Sequence, residues 1–91
     1  MVETKEFRKE LGRRLAAVRA YRELSIPDVT ALTGISTSAI SRYERGERPI
    51  PAERLFILAE TYDVPMAELL PLDGDSSTRV WSNPDLLVSA A

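Results

Sequence analysis

Gly34 stands between two segments that each read as a short helix, and almost no chain is left to join them. In Leu24-Ser25-Ile26-Pro27-Asp28, Ser25 suits an N-cap, Pro27 falls in the tolerant first turn, and Asp28 complements the positive end of a helix. That helix is expected to run to about Thr33. Gly34 then supplies a residue that accepts a left-handed backbone, and Ser36 caps a new helix two residues later. The second helix should carry Thr37 to about Arg45, with Ile40 and part of Tyr43 inward, a polar outer face, and Gly46 as its stop. Two helices meeting across so short a turn form a helix-turn-helix unit.

The flanking segments extend the helical pattern. Phe7, Leu11, Leu15 and Val18 recur with the period of one apolar helical face, which predicts a helix from about Thr4 to Arg22. After the stiff stretch Glu47 to Pro51, the residues Leu55, Leu58, Ala59 and Tyr62 form the inward stripe of a fourth helix. Asp63 is its left-handed terminator, and Val64 to Leu70 gives a short fifth helix ended by Pro71. The polar run Asp73 to Thr78 reads as a linker, so a helical domain over 4–72 and a tail over 73–91 are expected. Within the tail, Asn83-Pro84-Asp85 can cap a sixth helix beside Trp81, Leu86 and Leu87.

Composition removes most alternatives. The 91 residues contain neither cysteine nor histidine, which excludes disulfides, imidazole or thiolate metal sites and the common nucleophile pairs. An enzyme is therefore not expected, nor any metal or cofactor; Asp73 and Asp75 read as a polar turn. The longest apolar run, Leu55 to Ala59, falls far short of the roughly 20 residues of a membrane span. With no apolar signal core near Met1, a cytoplasmic location is expected.

The formal net charge is −2, yet it divides unevenly along the chain. Residues 1–54 carry 11 Lys or Arg against 8 Asp or Glu, a balance of +3, whereas residues 55–91 carry 1 Arg against 6 acids, a balance of −5. A chain polarised in this way can present a positive face to phosphates whatever its total, because screening confines each contact to about 8 Å.

In helix-turn-helix proteins the second helix enters the major groove of DNA with its N-terminal residues at base edges. The run Leu24-Ser25, Val29, Gly34-Ile35-Ser36, Ala39-Ile40-Ser41 and Tyr43-Glu44-Arg45-Gly46 resembles the Cro/phage-repressor-type (XRE) helix-turn-helix family, over about Phe7 to Leu70. The stretch from Tyr43 to Pro71 is also similar to the DNA-binding domains of actinobacterial developmental repressors. The resemblance implies an all-α, compact five-helix, lambda-repressor-like domain. Carried over residue by residue, it puts Thr37, Ser38, Ser41 and Arg42 at base edges. Their chemistry suits that role: Arg42 can pair with guanine through two hydrogen bonds, and Thr37 can meet a thymine methyl. The plainer alternative for these side chains is a solvated helix face.

Phosphate contacts are expected from Ser25 and Ile26 at one helix start, from the cap Ser36, and from Arg45 and Arg48 beyond the recognition helix. Arg48 can equally be ordinary surface charge. The resemblance further implies an ion pair between Arg19 and Glu44 that orients the recognition helix; the alternative is a plain surface pair. The sequence departs from the family at Ile26, where glutamine is usual, at Thr30 for alanine, at Glu23 for glycine, and at Pro51 for a Ser or Thr cap.

Phe56 and Ile57 cannot both join the inward stripe, since adjacent helical residues project about 100° apart. An exposed one suits a homodimer contact or cover by the tail. Trp81, Leu86 and Leu87 have three possible mates: the same chain, a second subunit or another protein. These features point to a sequence-specific regulator of transcription, a dimeric repressor binding double-stranded DNA at a palindromic operator. Two other readings remain: an antitoxin that binds its operator and, through the tail, a toxin; and a protein-interaction adaptor.

Overall fold

The computed structural model describes residues 4–71, and Trp81, Leu86 and Leu87 lie outside them. The described residues form five helices and no strand: α1 (Lys5–Tyr21), α2 (Ile26–Thr33), α3 (Thr37–Glu44), α4 (Ala52–Tyr62) and α5 (Met66–Leu69). The expected all-α architecture is thus present. No helix among the described residues is long and apolar enough to cross a membrane.

Each helix contributes buried apolar residues to one core, and in α1, α3 and α4 these include residues of the predicted inward faces. Leu11 and Leu15 of α1, Val29 of α2, Ala39, Ile40 and Tyr43 of α3, all four stripe residues of α4, and Leu69 of α5 are buried, with Ile35 from the turn among them. Phe7 and Val18 pack at its margin. α1 lies against α3 and α5, α2 lies against α3 and α4, and α5 closes on α4. Tyr43 is more deeply buried than a residue on the rim of a solvent-facing helix would be. Its hydroxyl accepts a 2.9 Å hydrogen bond from Arg54 Nη1, which ties α3 to α4.

Three helix ends share one device. At the ends of α1, α3 and α4 a residue in left-handed conformation turns the chain, and two amides fold back onto the last carbonyls. The bonds are Glu23 N to Ala20 O and Leu24 N to Arg19 O; Gly46 N to Tyr43 O and Glu47 N to Arg42 O; and Asp63 N to Glu60 O and Val64 N to Ala59 O. α2 ends more simply on Gly34, at φ 81°, bonded to Thr30 O. Glycine occupies the left-handed site only at Gly34 and Gly46; Glu23 and Asp63 hold it at φ 59° and 58°. The departure at Glu23 is therefore a strained one, since a Cβ-bearing residue in this region costs on the order of 1 kcal/mol or more.

The fifth helix is shorter than the predicted Val64 to Leu70. Pro65 has extended backbone, φ −64° and ψ 145°, and acts as N-cap, so Val64 belongs to the connection. Pro51 likewise caps α4 without a side-chain hydrogen bond.

At Gly12, buried midway along α1, the backbones of α1 and α3 meet closely. A Cβ there would collide with the carbonyl oxygens of Tyr43 and Glu44 and approach Glu44 C to 2.8 Å. Helical alanine normally outranks glycine by about 1 kcal/mol, but here the added methyl meets backbone. Gly12→Ala is accordingly expected to destabilise the domain by about 1 to 3 kcal/mol in urea denaturation, whereas Glu23→Gly is expected to stabilise it by up to about 1 kcal/mol. A stabilising Gly12→Ala would contradict the backbone contact.

Candidate nucleic-acid interface

The inward burial of Ala39, Ile40 and Tyr43 fixes the roll of α3 about its axis and leaves Thr37, Ser38 and Arg42 exposed, with Ser41 half-buried beside them. Positions 37, 38, 41 and 42 lie one helical turn apart in two adjacent rows and so share a face. The structure brings these four side chains together on one outward surface. Ser36 caps α3 by accepting from Ala39 N at 3.1 Å. Among the described residues, the amides of Thr37 and Ser38 have no hydrogen-bond partner, and the first turn of α3 contains no acid. This helix end can receive an anion.

The start of α2 is arranged differently. Ser25 Oγ accepts from Asp28 N at 3.1 Å, and Ser25 N donates to Asp28 Oδ2 at 2.9 Å, a closed capping box. Hydrogen bonds from the Ser25 backbone and side chain hold the Asp28 carboxyl below its usual range. Pro27 has no amide hydrogen to give. Ile26 N–H is thus the one free amide of that first turn among the described residues, and an acid stands beside it. Of the two helix starts, α3 is the open one.

Two groups of arginines bear on this face. Arg19 forms a two-point pair with Glu44, Nε to Oε2 at 2.6 Å and Nη2 to Oε1 at 3.0 Å, and its Nη1 donates to Leu24 O at 2.8 Å. The pair is largely withdrawn from solvent, at 20% and 9% side-chain exposure. Hydrogen bonding to Glu44 raises the Arg19 pKa against the opposing effect of burial. Arg22 donates to Tyr62 O at 2.7 Å and Asp63 O at 3.2 Å, capping α4 from the end of α1, and Arg14 reaches Leu70 O at 3.1 Å. These cations are structural.

Arg42, Arg45 and Arg48 are exposed. Arg42 and Arg48 make no side-chain hydrogen bond among the described residues, whereas Arg45 donates to Glu47 and to Ser41 Oγ. Phe56 is 50% exposed on α4 while Ile57 is half-buried.

Several contributors escaped the sequence reading. Gly12 had a visible signal, a glycine inside a helical stripe. Arg14 and Arg22 had none, because their partners are backbone carbonyls of distant helices. Leu32 is 64% exposed on α2. Thr30, already a departure from the family pattern, leaves its hydroxyl buried without a partner, as does Tyr62, whose burial pushes its pKa up to about 12.

A family model described as a helix-turn-helix domain matches residues 10–72. The chain belongs to this helix-turn-helix family. A Pyrococcus horikoshii protein named as an HTH-type transcriptional regulatory protein is 34% identical over 62 residues, which cover 68% of the chain and 19% of that relative's length. Among solved structures, the DNA-binding domain of BldD superposes with a TM-score of 0.70 at 37% identity, covering 75% of this chain and 99% of that one. The restriction-modification controller protein C.AhdI from Aeromonas hydrophila gives 0.66 at 29% identity, covering 68% and 94%. The expected Cro/phage-repressor-type membership therefore stands, and the relatives are named as a transcriptional regulatory protein, a DNA-binding domain and a controller protein.

The Arg19–Glu44 pair yields a direct test. Arg19→Met strands a nearly buried carboxylate and is expected to cost about 3 kcal/mol or more in chemical denaturation, while Arg19→Met/Glu44→Gln should recover most of that loss. Equal destabilisation by the single and double variants would show that packing of the arginine stem, and not charge, holds the two helices.

Proposed function

We propose that this helix-turn-helix protein is a sequence-specific DNA-binding regulator of transcription that inserts α3 into the major groove. The observation that carries the reading is the outward face of α3: Thr37, Ser38, Ser41 and Arg42 stand clear of the core at the end of the helix whose amides are free. Arg42 supplies the two-point donor suited to guanine, and Thr37 and the serines supply hydroxyls and a methyl for the neighbouring bases. Phosphates on either side are met by Ser36 and the free amides of α3, by Ile26 N–H with Ser25, and by Arg45 and Arg48. The likeness to the DNA-binding domain of BldD supports the same assignment.

A domain of this size makes few phosphate contacts, so we assign it a homodimer that reads two half-sites of a palindrome. Phe56, half-exposed on α4, is the more exposed of the two described apolar residues of the expected contact surface, Ile57 being half-buried. Occupation of promoter DNA by such a dimer gives repression as the direct outcome. Since the matched relatives are regulators by name, this reading is favoured over the antitoxin and the adaptor.

Selection of bound duplexes from a randomised pool tests the reading, with the intact chain beside Thr37→Ala/Arg42→Ala at one salt concentration. An inverted repeat with half-sites about 10 base pairs apart should be enriched and then lost in the double variant. Enrichment indifferent to both substitutions would remove α3 from the interface.

A further inference from the structure

The turn that ends α3 carries an acid onto the proposed DNA face. Gly46 takes φ 71°, and the amides of Gly46 and Glu47 are bonded to Tyr43 O and Arg42 O. The backbone of α1 presses on this turn, for a Cβ on Gly46 would lie 2.7 Å from Lys9 Cα. The fold therefore fixes where Glu47 leaves the chain. Its carboxylate receives Arg45 Nε at 2.9 Å and Arg45 Nη2 at 3.1 Å, and Arg45 Nη1 donates to Ser41 Oγ. All three nitrogens of Arg45 are engaged. Arg42 and Arg48, on either side in sequence, have no such partner among the described residues.

We infer that Glu47 limits the affinity of the DNA interface by holding Arg45 in an ion pair, so that a phosphate must compete with a carboxylate for this cation. The inference rests on the DNA-binding reading of α3. A free arginine that neutralises a phosphate releases condensed cations and adds about 0.9 to the slope of log K against log salt. A paired arginine approaches with its charge already balanced and adds little. Both partners are half-exposed, at 55% and 53%, so the pair is weak enough to open and its effect is graded. Phosphate contacts carry no sequence information, so the part of the effect that passes through Arg45 is alike on matched and unmatched DNA, while Arg42, whose charge also acts on the Glu47 carboxyl, is not bonded to it. It is a positioning residue for Arg45.

The test compares the full chain with Glu47→Gln, Arg45→Gln and the double variant by fluorescence anisotropy. The probes are a duplex enriched from the randomised pool and a random-sequence duplex of equal length, titrated between about 0.05 and 0.2 M salt. Glu47→Gln should steepen the slope by about 0.9 and tighten binding to both duplexes by about three- to tenfold at the lower salt. Arg45→Gln should weaken binding modestly in the parent and several times more in the Glu47→Gln background, where it reverses the gain, with thermal midpoints unchanged. An unchanged slope in Glu47→Gln, or an equal effect of Arg45→Gln in both backgrounds, overturns the inference while leaving the DNA-binding reading intact. Failure of the parent chain to bind either duplex overturns both.

Discussion

The position of α3 depends on the close approach of α1 at Gly12, where helix backbone meets the last carbonyls of the recognition helix without an intervening side chain. Contact of this kind leaves no slack, because a methyl group alone would force the helices apart. The Arg19–Glu44 pair acts one step further along the same two elements, and the Gly46 turn rests on α1 at Lys9. Each of these holds the C-terminal end of α3. With one end clamped and the inner face buried through Ala39, Ile40 and Tyr43, the N-terminal end and outer face are presented rigidly to solvent. Preorganisation of a reading surface follows from how its opposite end is held.

The charge pattern acquires a different meaning once the helices are packed. A basic excess in the first 54 residues suggests a field for phosphates, yet Arg14, Arg19 and Arg22 spend their donors on carbonyls and on Glu44. Two of them, Arg14 and Arg22, donate to carbonyls at the C-terminal ends of α5 and α4. Around α3 itself, Arg42 and Arg48 are left without a side-chain partner among the described residues, and Arg45 is shared with Glu47. A net negative chain and a cationic reading surface are thus compatible, because only the local arrangement reaches a phosphate through screening salt.

Much of this was legible in the chain. Ser25, Gly34 and Ser36 act through bonds to residues two to four positions away, and local rules of that kind are readable without a fold. The apolar stripes of α1 and α4 were equally plain, because periodicity decides which face is buried. What could not be read depended on contacts between distant segments. Nothing in the local sequence tells that Gly12 meets Tyr43 and Glu44, that Arg22 caps a helix forty residues on, or that Arg45 is shared between Ser41 and Glu47. The family pattern did mark Glu23 and Thr30 as departures, and packing showed their nature: a strained left-handed backbone and an unpartnered hydroxyl. The candidate site was legible as a set of residue types, and its polarity, an open α3 start beside a closed α2 start, was not.

The open end of α3 is the surface proposed to meet DNA. Amide resonances of the uniformly labelled protein, followed while a selected duplex is titrated in, test it most directly. The largest shifts are expected at Thr37 and Ser38, a smaller one at Ile26, and little change at Asp28, whose amide is committed to Ser25. Shifts concentrated around Phe56 or Leu32, with Thr37 and Ser38 unmoved, would contradict it.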